Sequence, residues 1–468
     1  MPPLWASATP IAVLLLALVG LIVWHGTDAI NSFSPYALLG SAVLALILTA
    51  LTVGLRKSNL SNGLRRSARQ IMPAVPLLAL IALVSTTWML GGIVPTLIDY
   101  GLKFLNPTLF LMLTCMLCAC VSVLTGSSWT TIATVGVAFM GIGAVLGYST
   151  GWIAGAIISG AYFGDKVSPL SDTTIVASST CGVDLFSHIR YMMLSSAPAM
   201  LLALAVYTAV GVFVGPEAET SPDPTLIDAL HRTFRITPLV LVVPAITGIL
   251  IACKVRTIIV LAVSSVLGVI CMYVTQPQIA SQVHPVLFLL DETVLSTGHS
   301  TLDNLVATGG LAGMLPTILL VLCAMLFGAA MLGTGMLRRI AEAFTHRLTK
   351  RTHIVGATVG TGLFLNACTA DQYLSIIIGG NMYGNVYSRF GLQPRLLSRT
   401  LEDSISVTSV LIPWNSCGVT QSTVLGVATL VYFPYCIFNI ASPLMSLLLA
   451  WTGFRIPVSR PESAGATA

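Results

Sequence analysis

Two stretches of this chain gather acids, hydroxyls and a proline at close spacing. One is Gly164-Asp-Lys-Val-Ser-Pro-Leu-Ser-Asp-Thr-Thr174. The other is Arg399-Thr-Leu-Glu-Asp-Ser-Ile-Ser-Val-Thr-Ser-Val-Leu-Ile-Pro-Trp-Asn415, followed by Ser416, Cys417 and Gly418. Pro169 and Pro413 each deny a continuing helix one hydrogen bond, so both segments are expected to be broken helices. A break frees carbonyl oxygens, to which Asp165, Ser168, Ser171, Asp172 and Thr173 add hard oxygen ligands of the kind that suit Na⁺ or carry a proton. In the second stretch, Glu402 and Asp403 are expected to start a helix that re-enters the membrane, with Ser404, Ser406, Thr408, Ser409 and Asn415 along its polar side. Asp165, Asp172 and Asp403 are the expected Na⁺ ligands. Lys166 and Arg399 are the countercharges, as structural ion pairs that hold the broken helices or as part of the site.

Two shorter clusters have the same character. Gly126-Ser-Ser-Trp-Thr-Thr131 offers small residues and hydroxyls at a helix break. Gly126, Ser127, Ser128 and Trp129 are read as support for a site, with Trp129 alternatively an aromatic packed beside glycine. Asn366-Ala-Cys-Thr-Ala-Asp371 occupies the matching place further on, and Asp371 is expected in or near an ion path. Ionisable groups at membrane depth cost roughly 2.5 to 3.5 kcal/mol each even on lenient insertion scales, so they imply pairing or function.

The elements that position these groups must lie in lipid. The 468 residues are 55% hydrophobic and 8% charged, with a mean hydropathy of +0.91. A soluble domain carries roughly 25% charged residues. Apolar runs of about 20 residues, enough to cross about 30 Å of hydrocarbon as a helix, recur from end to end. Alternating barrel patterns are missing, which leaves helices. Candidate spans are 8–26, 33–55, 71–98, 108–124, 130–147, 149–163, 191–214, 237–253, 257–275, 306–335, 354–368 and 419–452, which gives roughly 10 to 13 crossings. Residues 1–10 lack a charged leader region, so the first segment is expected to be a retained anchor.

The net charge of +5 resides in short loops between apolar runs, and nucleic acid is not implied. Loop 56–70 holds Arg56, Lys57, Arg65, Arg66 and Arg69, and loop 336–353 holds Arg338, Arg339, Arg347, Lys350 and Arg351 against Glu342. Both are expected on the cytoplasmic side. Segment 216–235, with Glu217, Glu219, Asp223 and Asp228 against Arg232 and Arg235, and segment 276–305, with Asp291, Glu292 and Asp303, are expected on the other. The ten cysteines are read as small packing residues. The scattered histidines, with His188, His231, His284, His299, His346 and His353 in or near loops, are read as solvated groups or at most as pH modulators.

The spans 71–98 and 306–335 therefore run in opposite directions, and each leads into an apolar helix, a polar interruption and a second polar cluster. The fold class expected is an all-α polytopic membrane protein with two inverted-topology repeats, broken helices and re-entrant hairpins. Residues 1–70 form N-terminal helices and a basic loop, 71–215 the first repeat, 216–305 a connecting region with two spans, 306–452 the second repeat, and 453–468 a tail. Inverted repeats broken at corresponding positions point to a secondary transporter with its site near the midplane.

The segments GDKVSPLSDTT at 164–174, GSSWTTIATVGVAFMGIG at 126–143 and LSRTLEDSISVTSVLIPWNSCG at 397–418 closely resemble the NhaC family of Na⁺/H⁺ antiporters. That family also includes sodium–lactate/malate–proton exchangers. The resemblance extends from about residue 8 to 452 and implicates Asp165, Ser168, Asp172, Glu402, Asp403 and Asn415. Two positions depart from it: Ala370 stands where relatives often have glycine, and Ile405 replaces a small residue after Ser404.

The activity so implied is Na⁺ for H⁺ exchange by alternating access across the cell inner membrane, with both cations competing for the same carboxylates. Desolvation and a neighbouring cation act in opposite senses on a carboxyl group, so an acid pair near Lys166 is expected to be poised for proton exchange. The alternative is organic-acid exchange of the malate or lactate type, with Lys166, Arg399 and Asn415 as anchors. No cofactor is expected beyond the transported ions, and whether the chain forms a homodimer is open. Enzymes are disfavoured: an intramembrane aspartyl protease would want glycine at Tyr162 and a Pro-Ala-Leu element, and HExxH does not occur.

Overall fold

Backbone groups in lipid must find partners within their own segment. The structure, a computed structural model, describes residues 1–25, 29–55, 57–215, 224–253, 255–298, 302–303, 306–345 and 351–457. Among these residues it is helical with no strand, and one isolated bridge joins Thr293 to Thr308.

The first part of the chain forms α1 (Leu4–His25), α2 (Ala29–Thr52), α3 (Lys57–Ile71), α4 (Ala74–Leu90), α5 (Ile93–Phe104) and α6 (Phe110–Thr125). It continues with α7 (Ser128–Thr131), a π turn at Ile132–Gly136, α8 (Val137–Val145), α9 (Thr150–Val167), α10 (Asp172–Thr180) and α11 (Leu185–Phe213). The connecting region holds α12 (Pro224–Thr233), α13 (Val242–Ala252), α14 (Thr257–Thr275), α15 (Pro277–Gln282) and α16 (Leu287–Leu290). Then follow α17 (Leu315–Gly333), α18 (Met336–Thr345), α19 (Arg351–Thr369), α20 (Gln372–Arg389), α21 (Pro394–Leu401), α22 (Ser416–Leu425), α23 (Thr429–Tyr432) and α24 (Ile437–Thr452).

Eight of the described helices are long and apolar enough to cross a membrane. The number rises to 10 if each of two sharply bent pairs, Ile227–Thr233 with Pro238–Ala252 and Ser416–Leu425 with Thr429–Tyr435, counts as one span. The chain is a multi-pass membrane protein.

Several elements differ from the sequence expectation. The basic segments 56–70 and 336–353 are largely helical, as α3 and α18, because their charges fall on one side while residues such as Leu60, Gly63 and Ser67 turn inward. Helix α20 stands where no span is expected, since its glycines and polar residues interrupt the apolar run. The span expected at 71–98 bends at Gly91-Gly92, between α4 and α5. Glu402 and Asp403 do not start a helix: α21 runs straight into them as a π turn, Glu402–Ser406, and the chain unwinds only beyond it. Arg56, Glu217, Glu219, Asp223, His299, His346, Arg347 and Lys350 lie outside the described residues.

Helices α6 and α9 form the closest pair in the first half, joined where the Ser122 hydroxyl donates to the Ala161 carbonyl at 2.6 Å. Helix α11 packs on α24, which brings the two halves together around α9.

Candidate functional site

Both halves break a helix twice, and the first break is built alike in each. Helix α6 ends at Thr125, and Gly126 adopts φ +66° before α7 starts. Glycine suits that conformation, and the close approach of Leu170, whose Cβ would lie 2.6 Å from an added Cβ, leaves no room for a side chain. The Ser127 hydroxyl caps α7 by accepting from the Thr130 N–H at 3.2 Å. The Thr125 hydroxyl accepts from the Ser127 N–H at 3.1 Å and meets the Thr131 hydroxyl at 3.3 Å.

At the corresponding break α19 ends at Thr369, and Ala370 adopts φ +55°. The Asp371 carboxylate caps α20 by accepting from the Leu374 N–H at 2.8 Å. The Thr369 hydroxyl accepts from the Asp371 N–H at 3.2 Å and meets the Ser375 hydroxyl at 2.7 Å.

The second break also repeats. Pro169 precedes Ser171, the cap of α10, and Pro413 precedes Asn415, the cap of α22. Gly126 and Ala370, Ser127 and Asp371, Pro169 and Pro413, and Ser171 and Asn415 all stand at one constant offset along the chain.

Asp165 lies on the last turn of α9, where the backbone N–H and hydroxyl of Ser128 both donate to it, at 3.1 and 2.7 Å. Ser128 opens the helical run that continues through the π turn to Val145, so its positive end faces the carboxylate. Ser171 lies beside the same carboxyl group, and Asp172, exposed on the first turn of α10, is within electrostatic reach. Tyr373, from the other half, is within reach of Asp165, Asp172 and Asp371 together. The Cys417 thiol, at the start of α22, sits among Trp129 and Tyr162 of the first half and Ser409 of the second. The four breaks therefore meet around Asp165, Asp371, Tyr373 and Cys417.

The acid pair on α21 and its π turn is divided between two environments. Asp403 is fully buried and engaged on both oxygens. Its Oδ1 accepts from Lys166 Nζ and from the Ser442 hydroxyl at 2.9 Å, and its Oδ2 accepts from the Ser446 hydroxyl at 2.5 Å. Arg399 Nε is 3.7 Å from that Oδ2, and its guanidinium lies 4.8 Å from the Tyr191 ring centroid. Among the described residues Glu402, equally buried, has no geometrically good hydrogen-bond partner on either oxygen, and the Ser406 hydroxyl lies beside it. It is within electrostatic reach of Asp165 on one hand and of Lys166 and Asp403 on the other.

Asp165, Asp172 and Asp403 thus do not form one cation-binding set. Consecutive residues on a helix project about 100° apart, so Lys166 turns away from Asp165 and across to Asp403. The expected acid pair beside Lys166 is in fact Asp403 held by two cations, with Glu402 next to it. No group of three or more His, Cys, Asp or Glu side chains among the described residues comes together to hold a metal ion.

Other expected site residues hold the breaks in shape. Ser168 donates to the Val123 carbonyl at 2.8 Å, Thr173 meets Ser171 at 2.9 Å, and Ser404 donates to the Thr400 carbonyl at 2.6 Å. Thr408 accepts from Asn366 at 3.2 Å, and Asn415 donates to the Asn366 carbonyl at 3.1 Å. Sequence reasoning missed Ser442 and Ser446, although Asn439, Ser442 and Ser446 mark one side of the otherwise apolar α24 at helical spacing.

Helices broken at equivalent places, with carboxylates set into the breaks of a multi-pass membrane protein, define a secondary-transporter architecture. The comparisons with known proteins agree. The model of the Na⁺/H⁺ antiporter family matches residues 4–191 and 160–454, and the chain belongs to this family. It is 34% identical over 401 residues to the Na⁺/H⁺ antiporter NhaC of Alkalihalophilus pseudofirmus, covering 86% of this chain and 85% of that protein. It is 32% identical over 418 residues to the malate-2H⁺/Na⁺-lactate antiporter of Bacillus subtilis, covering 89% of each. It is also 33% identical over 472 residues to the arginine/ornithine antiporter ArcD of Halobacterium salinarum, covering 99% of this chain and 95% of that protein.

Proposed function

We propose that this chain exchanges Na⁺ for H⁺ across the membrane by alternating access, and that Asp165 is the carboxylate the two cations share. The observation that carries the reading is the direction of Lys166. That cation neutralises Asp403 across the molecule instead of Asp165 next to it, and none of the ion pairs among the described residues includes Asp165. Asp165 is left with neutral donors and with Asp172 nearby, an arrangement that needs a cation. Either Na⁺ or H⁺ supplies the charge, and binding one displaces the other. Asp371 and Tyr373 complete the site from the second half. Glu402, near both Asp165 and the Lys166–Asp403 pair, is a second proton carrier whose charge repels that of Asp165. The two halves cross the membrane in opposite senses, so the breaks meet near its middle.

Membership of the Na⁺/H⁺ antiporter family and the NhaC relatives support this choice of substrate. Organic-acid exchange would require Lys166 or Arg399 to hold a carboxylate, and both already face Asp403. The test is proton movement in proteoliposomes under an imposed Na⁺ gradient, with a K⁺ gradient as control. Asp165→Asn is expected to reduce the Na⁺-driven signal to background while the protein still folds into the membrane; wild-type exchange in that variant removes Asp165 from the mechanism. A signal that appears only when malate or lactate is added assigns the chain to organic-acid exchange.

A further inference from the structure

Topology requires basic residues on one side of the membrane, but it does not require separate basic segments to converge on one cavity. Here they do. Helix α3 docks against the end of α17 through Gly63, where an added Cβ would lie 2.8 Å from the Ala329 carbonyl and 2.9 Å from Gly333 Cα. That close approach opens a cavity of about 870 Å³ between the end of α2, α3, the end of α17 and the start of α18. Arg65, Arg66 and Arg69 line it from α3, and Arg338 lines it from α18. Asn59 and Asn62 add neutral polar groups, and no Asp or Glu is among the described lining residues. Glu342, the acid nearest in sequence, pairs with Arg338 at 3.1 Å and does not line the cavity.

The cavity sits where two apolar spans, α2 and α17, end, which is headgroup depth in a bilayer. Exposed Val53 and Leu55 give its lining an apolar edge. Guanidinium groups suit phosphate oxygens, because their forked donors match the geometry and each adds to the attraction of an anionic surface. We infer that this cavity binds the phosphate headgroup of an anionic phospholipid, which clamps α3 and α18 to the ends of α2 and α17. The lipid joins the N-terminal helices to the second half.

The test uses the purified full-length protein in detergent, titrated separately with dioleoylphosphatidylglycerol, dioleoylphosphatidylcholine and inorganic phosphate. Retained adducts are read by native mass spectrometry and stabilisation by thermal unfolding. Phosphatidylglycerol is expected to be retained in preference to phosphatidylcholine and to raise the unfolding temperature. The combined variant R65Q/R66Q/R69Q is expected to weaken its retention by about tenfold or more. R338Q, a single exposed position on the other helix, is expected to weaken it less, and it keeps the test open should the triple variant fail to fold. Equal retention of the two lipids, or unchanged phosphatidylglycerol retention in a folded variant, overturns the inference. Inorganic phosphate that stabilises as well as the lipid, with the same dependence on these arginines, assigns the cavity to a free anion and also overturns it.

Discussion

The first break in each half shares a backbone and differs in chemistry. Thr125-Gly126-Ser127-Ser128 and Thr369-Ala370-Asp371-Gln372 fold with the same threonine-centred hydrogen bonds. In the first the cap is a neutral hydroxyl, and the charge comes from Asp165 on the neighbouring helix. In the second the cap is itself the carboxylate, and Ser409 takes the position equivalent to Asp165. Ser409 donates to Gln372 at 3.2 Å, as Ser128 donates to Asp165 at 2.7 Å. Asp165 and Asp371 therefore come to the meeting point from different places in the same motif. A repeated scaffold sets the geometry, while the positions of its few charges make the two sides unequal.

The same inequality runs through the buried ion pair. Lys166 of the first half has no basic counterpart in the second, where Val410 stands, and it reaches across to Asp403. Removing it by Lys166→Met leaves Asp403 buried with a weaker partner, and the expected loss is about 3–5 kcal/mol of stability. Thermal unfolding in detergent checks this, and Lys166→Met combined with Asp403→Leu and Arg399→Met, which removes the whole buried charge group, is expected to recover much of the loss. A single variant as stable as the wild type would mean that the halves are joined by packing alone.

The left-handed positions give a smaller contrast. Gly126→Ala meets both an unfavourable φ and the Leu170 backbone, so about 2–4 kcal/mol of destabilisation is expected. Ala370→Gly acts in the opposite sense: relief of left-handed strain exceeds the entropy cost of glycine, for a gain of about 0.5–1 kcal/mol. Unfolding midpoints of the two variants should move in opposite directions. Equal shifts of one sign would show that the two breaks do not bear load in the way their shared geometry implies.

Much of this was legible in the sequence because helix breakers are local signals. Pro169, Pro413, Gly126 and the cluster ending at Asp371 mark the four breaks, and Ala370 takes the positive φ at the one that lacks a glycine. The partners of the charges were not legible. That Lys166 serves Asp403 and not Asp165 depends on which way α9 rotates against α21, which local pattern does not encode. Ser442 and Ser446 were hidden as ordinary hydroxyls in an apolar helix, although their spacing put them on one side. Helix α20 was missed for a related reason, since buried glycines and polar residues in a helical hairpin lower the apolar signal on which a span is recognised. In α3 and α18 charge masked helicity, because a segment lying along the end of a bundle needs only one apolar side.

Exchange at Asp165 depends on Na⁺ and H⁺ competing for one carboxylate. The deciding measurement is the apparent Na⁺ affinity of exchange in proteoliposomes, followed with an internal pH dye over a series of pH values. Competition for one carboxylate requires the half-saturating Na⁺ concentration to rise as pH falls, approaching about tenfold per pH unit on the acid side. A half-saturating concentration that stays constant across pH would contradict a shared site and place the two ions on separate groups.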